Sequence, residues 1–331
     1  MWGIFLNRDP FPCSELMRTA LEILALALIP PALRPRRART HAPCTVDKYI
    51  AALAAFIRWC FEHGLCPMPA TAETVLAYLR YLQGEVGRGI PDTLAQMSPI
   101  GCWHWTNNHP LPRSRELSIY CHALRKMHVT QHATPFSTED IRAICAAIAL
   151  ESPFRAARDL AFFLISFAAA LRPSEVRWMR VEHLDFRQRG LILTIPTAKC
   201  SFNKPKMLTL RYAQGERCPV RALQHWIWLA GIESGYVFRR IDRNDHVLGN
   251  SRLGVGSVAL IFERYARRVG LQGKITPYSA RRGCATTLID NGATLDQTRG
   301  HLRHKYVETT QIYVDDRPVP FERSLTPLIL P

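Results

Sequence analysis

Acidic residues are scarce in this 331-residue chain: 27 Asp and Glu stand against 43 Lys and Arg, leaving a formal charge of +16. That imbalance favours a polyanionic partner, either nucleic acid or an anionic membrane surface. Paired cysteines are missing too. Ten cysteines are scattered from Cys13 to Cys284 without a C-x-x-C pair, which fits neither a zinc framework nor a disulfide-dense secreted scaffold. Reduced, mostly buried thiols in a cytoplasmic protein are expected instead. No apolar run approaches the ~18 residues that cross a bilayer. The best, Thr19 to Ile29, is interrupted by Glu22 and followed by Pro30 and Pro31 with no small-residue cleavage site. A short amphipathic or partner-binding helix is expected there, and no membrane association. A phosphate-cradling Gly-rich loop is absent, so no nucleotide requirement is expected. There is no internal repeat and no low-complexity segment. With 47% hydrophobic residues the chain is no disordered tail, and its length allows two domains.

What is present divides along the chain. Arg34, Arg36, Arg37 and Arg39 form a basic, proline-containing hinge that is either solvated linker or a phosphate-neutralising arm. From Thr45, a candidate N-cap, Tyr49, Leu53, Phe56, Ile57 and Cys60 recur at helical spacing up to a stop at Gly64. Further helices are predicted over Thr71 to Leu82, Pro91 to Trp105 and Arg113 to Met127. Residues 41 to 130 thus read as a bundle of about four helices. Trp103 and Trp105 are expected in its core, and Arg113, Arg115, Arg125 and Lys126 on a positive face. Val129 to Phe136 reads as a linker. Ser137 before T-E-D-I marks a helix start. A long apolar helix follows over Ala156 to Leu171. Between Arg189 and Tyr212 the pattern becomes strand, polar turn, strand, with Pro196 and Pro205 bracketing T-A-K-C-S-F-N-K. Helices are predicted again from Pro219 to the end. The fold class is mainly α with a small β-sheet.

Four residues make chemical sense together. Arg172 lies in A-L-R-P-S-E-V, Arg281 in P-Y-S-A-R-R-G, His304 in R-H-K-Y and Tyr313 in T-T-Q-I-Y-V. Transesterification of a phosphodiester without a metal needs a nucleophile, cations on the non-bridging oxygens and a proton for the departing oxygen. Positioned cations contribute several kcal/mol there, because they act where charge develops. A phenol suits the nucleophilic role, although its ordinary pKa of about 10 means that a base or a cationic setting must help it ionise. Pro173 puts Arg172 at a helix junction. Arg281 stands near the start of another helix, and Thr294 with Gln297 caps the helix leading to His304. His301 and His304 are three residues apart, but no third ligand suggests itself, and no metal site is expected. Tyr306 is a second phenol nearby.

In A-L-R-P-S-E-V, P-Y-S-A-R-R-G-C-A-T-T-L-I-D-N-G-A and H-K-Y-V-E-T-T-Q-I-Y, taken in that order, the chain resembles the tyrosine recombinase (phage integrase) family. The likeness covers residues 41 to 317 and is strongest from 165 onward. It implies an N-terminal extension with the basic hinge (1–40), a helical core-binding domain on DNA (41–130), an α/β-mixed catalytic domain (131–317) and a tail (318–331) that either docks on a neighbouring subunit or is frayed. It implies site-specific cleavage and rejoining of double-stranded DNA through a 3′-phosphotyrosine, with no metal or nucleotide cofactor. A homotetramer on two DNA sites would do this, with room for accessory DNA-bending proteins. Arg172 and Arg281 would clamp the phosphate. Lys199, or else Lys204, would protonate the leaving 5′ oxygen. His304 would bond the phosphate or help deprotonate the phenol, Tyr313 would attack, and Glu175 would orient its neighbours.

Three departures from the family pattern stand out. Tyr278 replaces the usual His or Lys, Arg282 a common His, and Arg303 the usual Gly before His304. Arg282 and Arg303 are expected to add phosphate contacts, and Tyr278 to support with a hydrogen bond but no charge. The rival readings are a DNA-binding protein of this fold with weak or no catalysis, a type IB topoisomerase-like activity, and a basic membrane-surface protein.

Overall fold

The computed structural model describes residues 43–196 and 205–313. The hinge arginines Arg34, Arg36, Arg37 and Arg39, the apolar run 19–29, both candidate turn lysines (Lys199 and Lys204) and the tail 318–331 lie outside those residues. The chain divides into two compact units, with the change at Thr130/Gln131.

The first unit is helical: α1 (Pro43–Glu62), α2 (Ala72–Gly84), α3 (Ile90–Leu94), α4 (Met97–Thr106) and α5 (Arg115–Met127). Its core joins Leu53, Phe56, Cys60, Val75, Tyr78, Leu79, Ile100, Trp103 and Leu117. Thr71 caps α2, with its side chain accepting from the Thr74 amide. Thr45, expected as a cap, lies inside α1, which begins two residues earlier. The single helix expected over 91–105 is two. Pro99 cannot donate to Ala95 and would clash with its carbonyl in a continuous helix, so the chain restarts at Met97 and Pro99 falls in the first turn. Trp105, expected inside, is 68% exposed, whereas Trp103 is core. Buried His104 accepts from the Ala70 amide at Nε2 (2.9 Å), which leaves Nδ1–H to donate to the Ile100 carbonyl (2.8 Å). Arg113, Arg115, Arg125 and Lys126 are all exposed, and Arg115 and Lys126 share the stripe of α5 opposite its buried Leu117, Cys121 and Leu124.

The second unit is built around α7 (Pro153–Ala168), buried on nearly every side from Ala157 to Ser166. Before it, Ser137 and Asp140 close a capping box on α6 (Thr138–Ile148). After it come α8 (Pro173–Arg177), a 3-10 turn, and the antiparallel sheet β1 (Leu184–Arg187), β2 (Gly190–Ile195) and β3 (Lys206–Arg211), in that order. Leu191 faces Leu210 and Leu193 faces Leu208 across β2 and β3. The chain continues through α9 (Pro219–Leu229), a hairpin of β4 (Arg239–Ile241) and β5 (Val247–Arg252), then α10 (Val255–Arg268), α11 (Tyr278–Asp290), α12 (Leu295–Leu302) and α13 (Glu308–Gln311). Helices α9 and α11 pack directly on α7. The stretch after residue 219 is therefore not purely helical, and β1 adds a strand before the expected pair. The tip of the β4–β5 hairpin is tied to α7, where the Asp245 carboxylate accepts from the Phe154 and Arg155 amides (2.9 and 3.1 Å). These amides are among the four unpaired donors at a helix start, so the hairpin caps the central helix.

Candidate active site

Helix α7 ends in a corner. Ala170 takes a left-handed backbone (φ 44°), and Arg172, in extended conformation, becomes the N-cap of α8 with Pro173 at its first position. Glu175, one turn into α8, reaches back. Its Oε2 accepts from the Arg172 amide (2.8 Å) and its Oε1 from Arg172 Nη1 (2.6 Å). The Arg172 side chain remains 36% exposed, open enough to meet a ligand. Helix α11 carries Arg281 against this corner. The Arg281 guanidinium is buried and donates to the carbonyls of Ala170 and Leu302, which ties the corner to the end of α12. On the same helix Gly283 lets the backbone of the segment before α6 come close: a Cβ there would collide with the carbonyl oxygen of Phe136.

Helix α12 stops at Arg303, whose left-handed backbone (φ 60°, ψ 36°) turns the chain, and His304 follows. His304 Nδ1 lies 2.8 Å from the Thr310 hydroxyl of α13. The turn α13 brings Tyr313 back so that its ring sits edge-on to the His304 ring, centroids 5.5 Å apart. The same phenol ring packs against a small apolar cluster of Ala170, Cys284, Ala285 and Leu302, and the Arg282 guanidinium carbon lies 5.2 Å from its centroid. A cleft of about 310 Å³ beside it is lined by His132, Lys274, Thr276, Tyr278, Arg282 and Tyr313. The structure thus brings Arg172, Glu175, Arg281, His304 and Tyr313 together in one unit.

Electrostatics follows from the crowding of cations. Burial, then Arg172 and Arg303, push the Arg281 pKa down to about 10, so it is still charged at neutral pH. Burial, followed by Arg281, Arg172, Arg303 and Lys206, holds His304 down at about 4, so its imidazole is neutral. Glu175 sits below its ordinary value. Burial alone would raise it, but Arg303 and the Arg172 amide and guanidinium outweigh that. The Cys284 thiol, in the apolar cluster against Tyr313, is pushed up to about 12 by burial.

Two expectations need correcting. Arg303 and Arg282, assigned to DNA on charge, are both buried. Arg303 Nη1 donates to the Ala169 and His301 carbonyls (2.9 Å each), and Nη2 to the Ala170 carbonyl (2.9 Å) and Glu175 Oε2 (2.8 Å). A guanidinium so occupied is part of the scaffold. Arg282 faces the Tyr313 ring. Tyr278, at the start of α11, is 44% exposed and lines the cleft beside Tyr313. His301 Nε2 bonds the Ala168 carbonyl (2.8 Å), and no cluster suited to a metal ion occurs among the described residues. Tyr306 lies exposed beneath Lys305.

Sequence reasoning missed Lys206. From the first position of β3 its Nζ reaches the Arg303 carbonyl (3.5 Å), and its charge is felt by His304. The available signal was the period of two: Lys206, Leu208 and Leu210 share one face of the strand.

The profile of the phage integrase family matches residues 134–318, more than half of the sequence, and the chain belongs to that family. The integrase/recombinase xerD homolog of Selenomonas ruminantium is 28% identical over 298 residues, covering 85% of this chain and 86% of the relative. Among solved structures, the site-specific recombinase XerH bound to difH substrate in a pre-cleavage complex aligns with a TM-score of 0.62 at 15% identity, covering 89% of this chain and 81% of that one. A lambda integrase (75–356) dimer bound to a COC′ core site aligns at 0.60 and 16% identity, covering 92% and 96%. At these identities the structural likeness bears on the fold.

Proposed function

We propose that this chain is a tyrosine-type site-specific recombinase that cleaves and rejoins double-stranded DNA through Tyr313. The convergence of Tyr313 with His304 and the paired guanidiniums of Arg172 and Arg281 carries this reading. The Tyr313 oxygen attacks phosphorus, the bond from phosphorus to the 5′ oxygen breaks, and a 3′-phosphotyrosine remains. Arg172 and Arg281 balance the charge that builds on the non-bridging oxygens. The departing 5′ oxygen takes a proton from Lys199, Lys204 or Lys206. A neutral His304 serves in either tautomer. With Nδ1 accepting from Thr310, Nε2–H donates to the phosphate; with Nδ1 donating, Nε2 takes the phenol proton. A 5′ hydroxyl from another strand then reverses the step and releases the tyrosine, so no bond energy is lost.

The larger assignments rest on the family. Residues 41–130 grip DNA with Arg113, Arg115, Arg125 and Lys126, helped by the hinge arginines, and residues 131–317 cut it. Four copies assemble on two sites, with 318–331 docking on the next subunit and accessory DNA-bending proteins admitted. The protein works in the cytoplasm and is encoded by a mobile element. No helix among the described residues is long and apolar enough to cross a membrane.

The test is covalent trapping on nicked suicide duplexes recovered from a randomised pool by binding. Wild type should accumulate a protein–DNA adduct and Tyr313→Phe none. Arg172→Ala and Arg281→Ala should lose the adduct yet keep duplex affinity within several-fold, because many other cations share binding. No adduct from the wild type on any retained duplex would leave only a DNA-binding protein. Sequence-independent relaxation of supercoiled plasmid would point to a topoisomerase.

A further inference from the structure

The guanidinium of Arg303 stands where a cation is least welcome. It is almost fully buried, with Arg172 and Arg281 close enough that each weighs on the charge balance of the cluster. Its backbone is left-handed, which costs any residue with a Cβ and costs glycine nothing. Both features disfavour an arginine. What it provides is a set of four hydrogen bonds, two of them to the groups that hold the two phosphate-clamp arginines. Glu175 Oε2 is shared between Arg303 Nη2 and the Arg172 amide, while Oε1 of the same carboxylate holds Arg172 Nη1. The Ala170 carbonyl is shared between Arg303 Nη2 and Arg281 Nη1. The Ala169 carbonyl, at the end of α7, and the His301 carbonyl, in α12, take Arg303 Nη1. One buried side chain therefore meets one carboxylate and one carbonyl that between them fix the planes of Arg172 and Arg281.

We infer that Arg303 is a positioning residue for strand cleavage: through Glu175 and the Ala170 carbonyl it preorganises the Arg172–Arg281 clamp, without touching DNA itself. The inference rests on the reading of the site as a recombinase centre. Groups that orient a reactive shell without belonging to it commonly matter by about 10- to 100-fold in activity. The clamp acts in the transition state, so its misalignment should appear in the chemical step and not in binding.

The informative variant is Arg303→Gly. It removes the guanidinium while giving the left-handed position its natural residue, so the protein has a reason to stay folded. Thermal melting establishes that it does. Single-turnover adduct formation on the nicked duplex, at saturating protein, should then be slower by about 10- to 100-fold. The dissociation constant for the intact duplex, and its salt dependence, should stay within about threefold. Arg303→Lys should recover part of the rate. In an Arg172→Lys background, Arg303→Gly should cost far less than in the wild type, because both changes spoil the same clamp. A merely structural role would lower the melting temperature without this non-additivity. A glycine variant that cleaves at the wild-type rate overturns the inference, and so does one whose rate and affinity fall together, since that marks a direct phosphate contact. Absence of adduct from the wild type would instead defeat the recombinase reading, and is distinguishable on that ground.

Discussion

His304 sits in an environment far from what its type suggests. Its imidazole is held near 4 instead of the ordinary 6.5, so between those values the unfolded chain takes up a proton that the folded chain refuses. Stability is therefore greatest above pH 6.5, falls as the pH drops toward 4, and levels off below. His301, also shifted down by burial, adds in the same direction. Urea midpoints measured from pH 7 to 4.5 should decline for the wild type and decline less for His304→Gln; parallel curves would contradict the assignment. The four chemical side chains at 172, 281, 304 and 313 were legible in the sequence because their types and order are unusual. The roles of Arg282 and Arg303 were not, since a run of basic residues carries no mark of which ones turn inward. Only the left-handed turn at 303 and the carbonyls of Ala169, Ala170 and His301 decide that, and these lie up to 134 residues away along the chain.

At the scale of elements, two close contacts carry testable weight. Replacing glycine with alanine inside a helix ordinarily stabilises by about 1 kcal/mol. At Gly283 the sign should reverse, because the added methyl group meets the Phe136 backbone, and overpacking of that kind costs about 1–3 kcal/mol. Gly283→Ala should show a lower urea midpoint, and an unchanged or higher one would refute the close approach. Asp245→Ala removes the hairpin's grip on the start of α7 and should cost about 1 kcal/mol, measurable in the same experiment. Long amphipathic helices such as α2 and α6 were readable from spacing and caps. The strands β1, β4 and β5 were not. L-D-F-R and R-R-I are too short to show alternation, and V-L-G-N-S-R has a glycine and polar residues where a strand signal would need apolar ones. What defines them is pairing with neighbours, which is a tertiary fact.

At the scale of the molecule, the surplus of 16 positive charges predicts that duplex affinity falls steeply with salt, with a log–log slope near −0.9 for each phosphate neutralised. Fluorescence anisotropy between 50 and 300 mM salt should show it. Arg113→Ala or Lys126→Ala should each reduce the slope by roughly one if it contacts a phosphate, and leave it unchanged if it does not.

Cys284 belongs to the apolar cluster that cushions the Tyr313 ring; the residue is 5% exposed and its thiol is protonated at neutral pH. An alkylating reagent reaches a sulfur so buried when the residues packed around it, Tyr313 and Leu302 among them, move apart. The protein thus carries its own clock: the labelling rate of this one sulfur, followed by mass spectrometry with and without DNA, would report how often the closed arrangement breathes.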